Sequence, residues 1–562
     1  MFNFIENLNY EPIRKNSLKI KLKDLQKGIN NFNDYIIVFN DKIKIYSRKC
    51  DHQGGKLIFK DNQIICPLHN WKFDAFKGSY TNGFKKKTVS YKIINDEILI
   101  EDKKEFPKIF KTVQQKSTKI RFFNHAFLKI YGENFSFASD PWAFGPAFNT
   151  GWWLQKNTKE DWLSEVNSCD FIYISHNHPD HLHPLTLNKI NKDIPIVVGK
   201  FISDSAGKYM ESLGFKKIFR LEFSNVYRYE NTDLYLSLLK SGDFRDDSGI
   251  YFSNGNFSCL LDVDSNSINF DKFPKVDVYG SSFGGGASGY PLMFDNYSTK
   301  EKVEIINRNK KNLLNLKLSR INKISQKYFL PYASFFDEKL IRDKFVKTHN
   351  KKNPIDSYEK ILIKKKIKIL NPKKNDNFEF YGKKLIKENF INHKTFKDLD
   401  PLIYLKKYKK AYNKINYKFI EDYFLKSKFN DNLILAVSLT ADNFKTDKNN
   451  FLVDFSNGKI SFLTKNTINF DDLKKENKKL LYLKSRKESF LHTIYNLNPW
   501  EDLMIGFQTK ILRSPNVYNF KFWYHFNNIY IKSKNKRESK NCDFCNVFNQ
   551  EIDKIIYEKT AN

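Results

Sequence analysis

Cys50-Asp51-His52-Gln53-Gly54-Gly55, followed after a short apolar stretch by Cys66-Pro67-Leu68-His69, decides the fold of the first hundred residues. Each segment offers one thiolate and one imidazole at a spacing that a tight loop can present. Two such loops held tip to tip give two thiolates to one iron and two imidazoles to the other, the ligand set of a Rieske [2Fe–2S] centre. Structural zinc also accepts two Cys and two His, but a zinc finger groups the cysteines together and the histidines together. Here they alternate, with Gly54-Gly55 after one loop and Pro67 inside the other. The uncharged imidazoles set such a centre at roughly −150 to +300 mV, well above an all-cysteine cluster. Single-electron chemistry is therefore expected.

Around these loops the chain reads as short strands. Tyr35–Phe39, Ile43–Tyr46, Lys56–Phe59 and Gln63–Ile65 are apolar or β-branched, and Asp61-Asn62 marks a hairpin. Val89–Ile93 and Glu97–Ile100 close an antiparallel module over residues 1–108, with Lys103–Lys108 as a linker. The gap from His52 to Cys66 is short for a Rieske domain, which trims the hairpin and leaves the ligands.

The chain has 562 residues, enough for three or four domains. Hydrophobic residues make up 41% and aromatics 16%, a globular composition. The net charge of +33 comes from Lys spread along nearly the whole chain rather than from a basic arm. That argues against nucleic acid and for a small anionic substrate and an acidic redox partner. Six cysteines, two of them in the cluster loops, do not form a disulfide framework. Cys542-x-x-Cys545 lacks a partner pair. A reduced, cytoplasmic protein is expected; the start lacks a signal-peptide pattern, and no apolar run is long enough to span a membrane.

The second domain, 115–348, reads as an αββα sandwich, with helices outside two facing sheets. The buried strand at Phe171–Ser175 delivers His176-Asn177-His178-Pro179-Asp180-His181 into the loop before a helix. His-x-His-x-Asp-His directly after an apolar strand is the metal signature of the metallo-β-lactamase fold. His176 and His178 reach one ion, and Asp180 with His181 reach a second. Hydrolases of this fold complete their sites with further histidines downstream, yet none lies between His183 and His349. Ser241-Gly242-Asp243 stands at the place of the third ligand, and Asp264 ends a later strand. His176, His178 and Asp243 would form a two-His–one-carboxylate face, which suits non-haem ferrous iron. Otherwise Asp243 is a loop carboxylate, and His125, His492 or His525 completes the set.

Val278–Ser282 leads into Gly284-Gly285-Gly286, a loop able to bring backbone N–H groups to an anion although it lacks the lysine of a P-loop. Residues 349–400 are Lys/Asn-rich with Pro354 and Pro372 and are expected to connect domains. Residues 401–562 read as an α+β domain whose order faintly resembles sterol-carrier-like modules. The whole is a multidomain α+β chain: an all-β Rieske module, a central sandwich and a C-terminal α+β region.

Several stretches together resemble the CMP-N-acetylneuraminate hydroxylase family. They are Cys50–Gly55, His69-Asn70-Trp71-Lys72, Asp140-Pro141-Trp142, Gly145–Phe148, Gly151-Trp152-Trp153, Ile172–His176, Gly284–Pro291, Ile505–Thr509 and Phe522–His525. Asp243 departs from the His expected there in the family. The resemblance implies a monooxygenase that converts the N-acetyl methyl of a CMP-activated sialic acid, or of a related acetamido sugar nucleotide, to hydroxymethyl with dioxygen. It implies electrons from an acidic cytochrome or ferredoxin with its reductase, entering through Cys50, His52, Cys66 and His69. They would pass to mononuclear non-haem iron at His176 and His178, with zinc as the alternative metal. Asp180, His181 and Asp264 would be further ligands or their supports. The rival reading is a metallohydrolase of an ester, lactone or phosphodiester with an accessory cluster. A redox carrier with an inert second module is the third.

Overall fold

The computed structural model describes residues 4–6, 12–13, 18–51, 56–66, 71–100, 106–107 and 113–527, apart from 33, 61, 202, 224, 242–245, 266–267, 269–274, 325, 464–467 and 475–476. Two eight-stranded sheets form the centre. One runs, in spatial order, through Ile218–Leu221, Ile196–Gly199, Phe171–Ile174, Ser136–Ser139, Phe127–Tyr131, Ser117–Asn124, Asn377–Tyr381 and Lys384–Asn389. The other runs through Phe4–Glu6, Tyr227–Tyr229, Leu234–Lys240, Ser248–Asn254, Phe257–Leu261, Val278–Ser282, Tyr328–Tyr332 and Lys368–Ile369.

Their facing side chains make one core. Ile120, Leu128, Phe137 and Phe171 come from the first sheet and Leu236, Ile250, Phe252 and Leu260 from the second, all at or near zero exposure. Outside the first sheet, Trp162, Leu187 and Met210, from the short helices Trp162–Asn167, Pro184–Lys189 and Ser205–Ser212, pack on Ile172, Ile174, Ile196 and Val198. Outside the second lies the helix Thr299–Ile324, with Ile321 and Ile324 buried against it. Its start is a capping box: the Ser298 backbone N–H donates to Glu301 Oε2 at 2.7 Å, and the Glu301 N–H returns to Ser298 Oγ at 3.3 Å. The αββα sandwich expected from the sequence, with helices outside two facing sheets, is present.

Residues 349–400 are not a connector. Asn377–Tyr381 and Lys384–Asn389 extend the first sheet, and Lys368–Ile369 extends the second. The signal was alternation, with Phe378 and Phe380 buried while Glu379 and Tyr381 face outward. The charged hairpin beyond them suits an edge strand, where lysines protect against mispairing. The sandwich also reaches back to the start of the chain, since Phe4–Glu6 pairs antiparallel with Tyr227–Tyr229.

The N-terminal module is built from small antiparallel sheets, Gly28–Asn31/Tyr35–Phe39/Ile43–Ser47, Ser79–Tyr80/Lys72–Asp74/Gln63–Ile65/Ile58–Lys60 and Lys92–Ile94/Glu97–Ile100/Leu18–Lys21. The C-terminal region is a five-stranded sheet ordered Lys459–Leu463, Thr446–Asp454, Leu433–Thr440, Lys479–Arg486 and Thr509–Ser514, flanked by helices. The last described helix, Phe520–Asn527, joins the two ends of the molecule. Phe520 and Tyr524 are buried with Cys50, Cys66, Trp71 and Phe84, and the Phe84 and Phe520 rings meet edge-on at 4.9 Å. Among the described residues no helix is long and apolar enough to cross a membrane.

Candidate metal centre and electron-transfer module

At the N-terminal site Cys50 and Cys66 are buried, 1% and 0% exposed, in one aromatic cluster with Tyr46, Trp71, Phe73 and Tyr80. The loop between Cys50 and His52 is braced from below: Tyr80 donates to Asp51 Oδ2 at 2.6 Å, and Lys86 Nζ bonds Asp51 Oδ1 at 2.9 Å. Burial raises the Asp51 carboxyl above its ordinary value, while the Lys86 ammonium pulls it back. His52 and His69 lie outside the described residues. Two buried thiols from separate loops, sharing one pocket of packed aromatics, fit the cysteine half of an iron–sulfur cluster.

The second site grows from the end of the strand Phe171–Ile174. Asp140, at the end of the neighbouring parallel strand, accepts from the Ser175 backbone N–H at 2.8 Å and from Ser175 Oγ at 2.7 Å. That pins the point where the chain leaves the sheet. Ser175 Oγ lies 2.8 Å from His176 Nδ1, and Asp140 Oδ2 lies 3.0 Å from His181 Nδ1. Each contact occupies one ring nitrogen and turns the other inward, which is how outer groups orient metal-binding imidazoles. His176 Nε2 and His178 Nδ1 then stand 2.9 Å apart.

Three donor groups result: His176, His178 and Asp247; His176, His181 and Asp264; and His125, Asp180 and His181. Within them Asp180 Oδ2 lies 3.0 Å from His125 Nε2 and 3.3 Å from His181 Nε2. Asp264 Oδ2 lies 3.8 Å from His181 Nε2 and 4.0 Å from His176 Nε2. Among the described residues His181 Nε2, Asp180 Oδ1 and His125 Nδ1 are buried without a hydrogen-bond partner, which fits atoms that would hold a cation. The donor set of imidazoles and carboxylates suits non-haem iron.

Backbone strain aims several of these groups. His125 occupies the hairpin between Ser117–Asn124 and Phe127–Tyr131 at φ 42°, and Asp140 has the same φ. Val263, between Asp262 and Asp264, sits at φ 50°, a conformation a β-branched residue rarely adopts. Such strain collects where a side chain must be presented at one angle. Under this turn Lys317, buried on the long helix, donates to Ser281 Oγ at 2.7 Å and lies 3.8 Å from Asp262.

Electrostatics follow from the same contacts. Burial alone would lower the His178 pKa, but the hydrogen bond and charge of Glu501, 3.1 Å away, overcome it and raise the value to about 9. Burial likewise opposes the charged forms of Asp180 and His181. Even so, His181 and His125 hold Asp180 well below the usual carboxylate range, while Asp180 and Asp140 hold His181 well above the usual imidazole range. Asp502, beside Glu501, is pushed up to about 8, by burial first. The pocket is thus strongly favourable to positive charge.

The structure brings His176, His178, Asp180 and His181 together with Asp264. Asp243 lies outside the described residues; the carboxylate brought to His176 and His178 is Asp247. Of the three histidines considered for completing the set, His125 is present. His492 packs between Tyr408 and Tyr412, and His525 bonds the Ser427 carbonyl at 2.8 Å, both within the C-terminal fold. They fold into that domain's own aromatic core because each sits on a helix facing it. Asp247 and Glu501 had no local motif; their role exists only after the chain folds.

A cavity of about 260 Å³ is lined by residues of both modules. His178, Asp180 and Asp264 line one part of it, and Trp71, two residues beyond His69, lines another. The Gly284–Gly286 loop and the C-terminal residues Glu501 and Arg513 complete its wall.

Residues 14–92 match the family described as Rieske [2Fe-2S] domain. The cytidine monophosphate-N-acetylneuraminic acid hydroxylase of Xenopus laevis is 29% identical over 91% of this chain and 91% of its own length. The proteins of that name from Pongo pygmaeus and Mus musculus are 28% and 27% identical over 90% of this chain, covering 93% and 94% of their own. Among solved structures, CmlA, a diiron beta-hydroxylase from Streptomyces venezuelae, overlaps 48% of this chain and 55% of its own at 14% identity and a TM-score of 0.32, too slight a likeness to bear on function. The chain carries a Rieske [2Fe–2S] domain and, along nine-tenths of its length, resembles the cytidine monophosphate-N-acetylneuraminic acid hydroxylases.

Proposed function

We propose that this protein is a Rieske-type monooxygenase that hydroxylates the N-acetyl group of CMP-N-acetylneuraminic acid or a related acetamido sugar nucleotide. The observation that carries this reading is the shared cavity, in which Trp71 of the cluster module and His178 of the metal loop line one space. His176, His178 and Asp247 would hold iron, with Asp180, His181, His125 and Asp264 as neighbouring donors. Cys50, His52, Cys66 and His69 would hold the cluster. Iron bound there supplies the dioxygen activation that an unactivated C–H bond requires; acid–base chemistry cannot break such a bond. One oxygen atom enters the methyl group and the other leaves as water, with electrons from an external acidic carrier and its reductase.

The chain's own residues orient and enclose. Glu501 fixes the His178 ring through Nε2, and Asp140 fixes His181 through Nδ1. Phe148 sets its edge against His178 at 5.7 Å, and Trp152 stacks on Phe336 at 3.5 Å, so the wall beside the histidines is apolar and excludes water. Hydrolysis would need no iron–sulfur domain. A reducing cytoplasm suits the reading.

The test is to incubate iron-loaded protein with CMP-N-acetylneuraminic acid, dioxygen and a reducing system, and to weigh the product. A gain of one oxygen atom, dependent on reductant, is expected. Cleavage of the substrate without reductant would replace the proposal with hydrolysis.

A further inference from the structure

The cavity lined by Trp71 and His178 carries both signs of charge on its wall. Asp180, Asp264 and Glu501 beside His178 are its carboxylates, and Lys310, Lys351 and Arg513 are its cations. Arg513, on the strand Thr509–Ser514, is partly buried and stacks its guanidinium over the Phe294 ring at 4.8 Å. It donates from Nε to Asn516 Oδ1 at 2.9 Å and bonds the Tyr297 hydroxyl; no carboxylate pairs with it among the described residues. Lys310, on the helix Thr299–Ile324, is half-buried and likewise has no carboxylate partner among the described residues.

A guanidinium withdrawn from water against an aromatic ring, without a counter-ion, is costly unless an anion arrives. Arg is suited to a phosphate because its fork of N–H donors matches two oxygens at once. Gly285 and Gly286, at φ 73° and 75°, line the same space. A Cβ on Gly285 would stand 2.7 Å from Leu313, and one on Gly286 would stand 2.8 Å from the Asn350 amide. The loop therefore packs closely on the long helix that carries Lys310. Asn309, beside Lys310, also lines the cavity and holds a buried Oδ1 without a hydrogen-bond partner among the described residues.

The geometry points to Arg513 and Lys310 as the residues that bind the nucleotide phosphate, fixing the substrate with its anionic end on them and its reacting end toward His178. This rests on the nucleotide-sugar reading above and deepens it. Cations suit the phosphate and carboxylates suit the metal, so the two kinds of lining residue would orient a substrate carrying a phosphodiester.

The test is calorimetric titration of the full chain with three probes, cytidine, cytidine monophosphate and CMP-N-acetylneuraminic acid. The parent should bind the monophosphate more tightly than cytidine. Arg513→Gln and Lys310→Gln should each weaken monophosphate binding by about 10- to 100-fold, the scale of one charge-assisted hydrogen bond, and leave cytidine binding within about twofold. Lys310→Gln, at a half-exposed position, guards against a folding defect in the Arg513 variant, and thermal unfolding monitors both. Unchanged monophosphate affinity in both variants, with the parent binding normally, would overturn this assignment and spare the nucleotide-sugar reading. A parent that binds none of the three probes would overturn both.

Discussion

Glu501 Oε1 lies 3.1 Å from His178 Nε2, so a carboxylate from the C-terminal domain steadies a metal-loop imidazole 323 residues away in sequence. His178 Nδ1, the nitrogen facing His176, is thereby left toward the donor cluster. Removing such an outer partner usually lowers metal affinity by about 10- to 100-fold. Glu501→Ala should show that loss in a chelator-competition titration, with Glu501→Gln intermediate and thermal unfolding near the parent. Parent-like affinity in Glu501→Ala would show that the contact is idle.

The two centres have separate ligands and should be separately removable. Asp247→Ala should strip the non-cluster iron and leave the electron paramagnetic resonance signal of the reduced Rieske cluster. Cys66→Ser should abolish that signal and leave the other iron in place. Iron counted per chain alongside the spectrum checks both. Retention of all iron in Asp247→Ala would return the third-ligand role to Asp243.

Part of the contact between the sandwich and the C-terminal domain is a buried ionic network. Arg486 Nη1 meets Asp343 Oδ1 at 2.6 Å, each side chain 1% exposed, and Arg342 bonds Glu488 Oε1 at 2.6 Å beside them. Removing one partner of a buried pair leaves an uncompensated charge and costs about 3–5 kcal/mol. Asp343→Ala should therefore lose stability of that order in denaturant unfolding, whereas Arg486→Met together with Asp343→Leu should recover much of it.

Stability should also fall on mild acidification through His183. Burial lowers its pKa to about 4, against an ordinary value near 6.5. Between those values the unfolded chain holds the extra proton, so stability is full above about pH 6.5 and declines as pH drops toward 4. The loss from about pH 7 to pH 5 is roughly 2 kcal/mol. His183 also caps the helix Pro184–Lys189 by accepting from the Thr186 N–H. Asn can serve as that cap, so His183→Asn should flatten the acid side of the stability profile. An unchanged slope would remove His183 as the cause.

Much of this was legible before folding. Cys50, Cys66 and the His176–His181 run announce themselves because metal-binding loops need their ligands close in sequence. Phe171–Ile174, parallel to both its neighbours, is a continuous apolar run, as a buried parallel strand requires, and the central strand Leu433–Thr440 is buried along its whole length. Asp247 and Glu501 were not legible, since a lone carboxylate gains its meaning from what distant segments bring against it. Residues 377–389 read as a connector because lysine and asparagine content outweighs the alternation of Phe378 and Phe380. Asp140 appeared as part of a motif, but its grip on Ser175 and His181 is a tertiary fact.

The strand Phe4–Glu6 is hydrogen-bonded along the edge of the large sheet, and the Phe4 ring rests on Phe171 and Phe219 at 5.4 and 5.8 Å. Since Phe171 begins the strand that launches the histidine loop, the Rieske module is tethered at both its ends to the sandwich. It is therefore an insertion rather than a detachable head. Cutting it away at residue 108 would expose a bare rim at Tyr227–Tyr229, open to pairing with other chains, and would loosen the floor beneath the very histidines the truncation was meant to isolate.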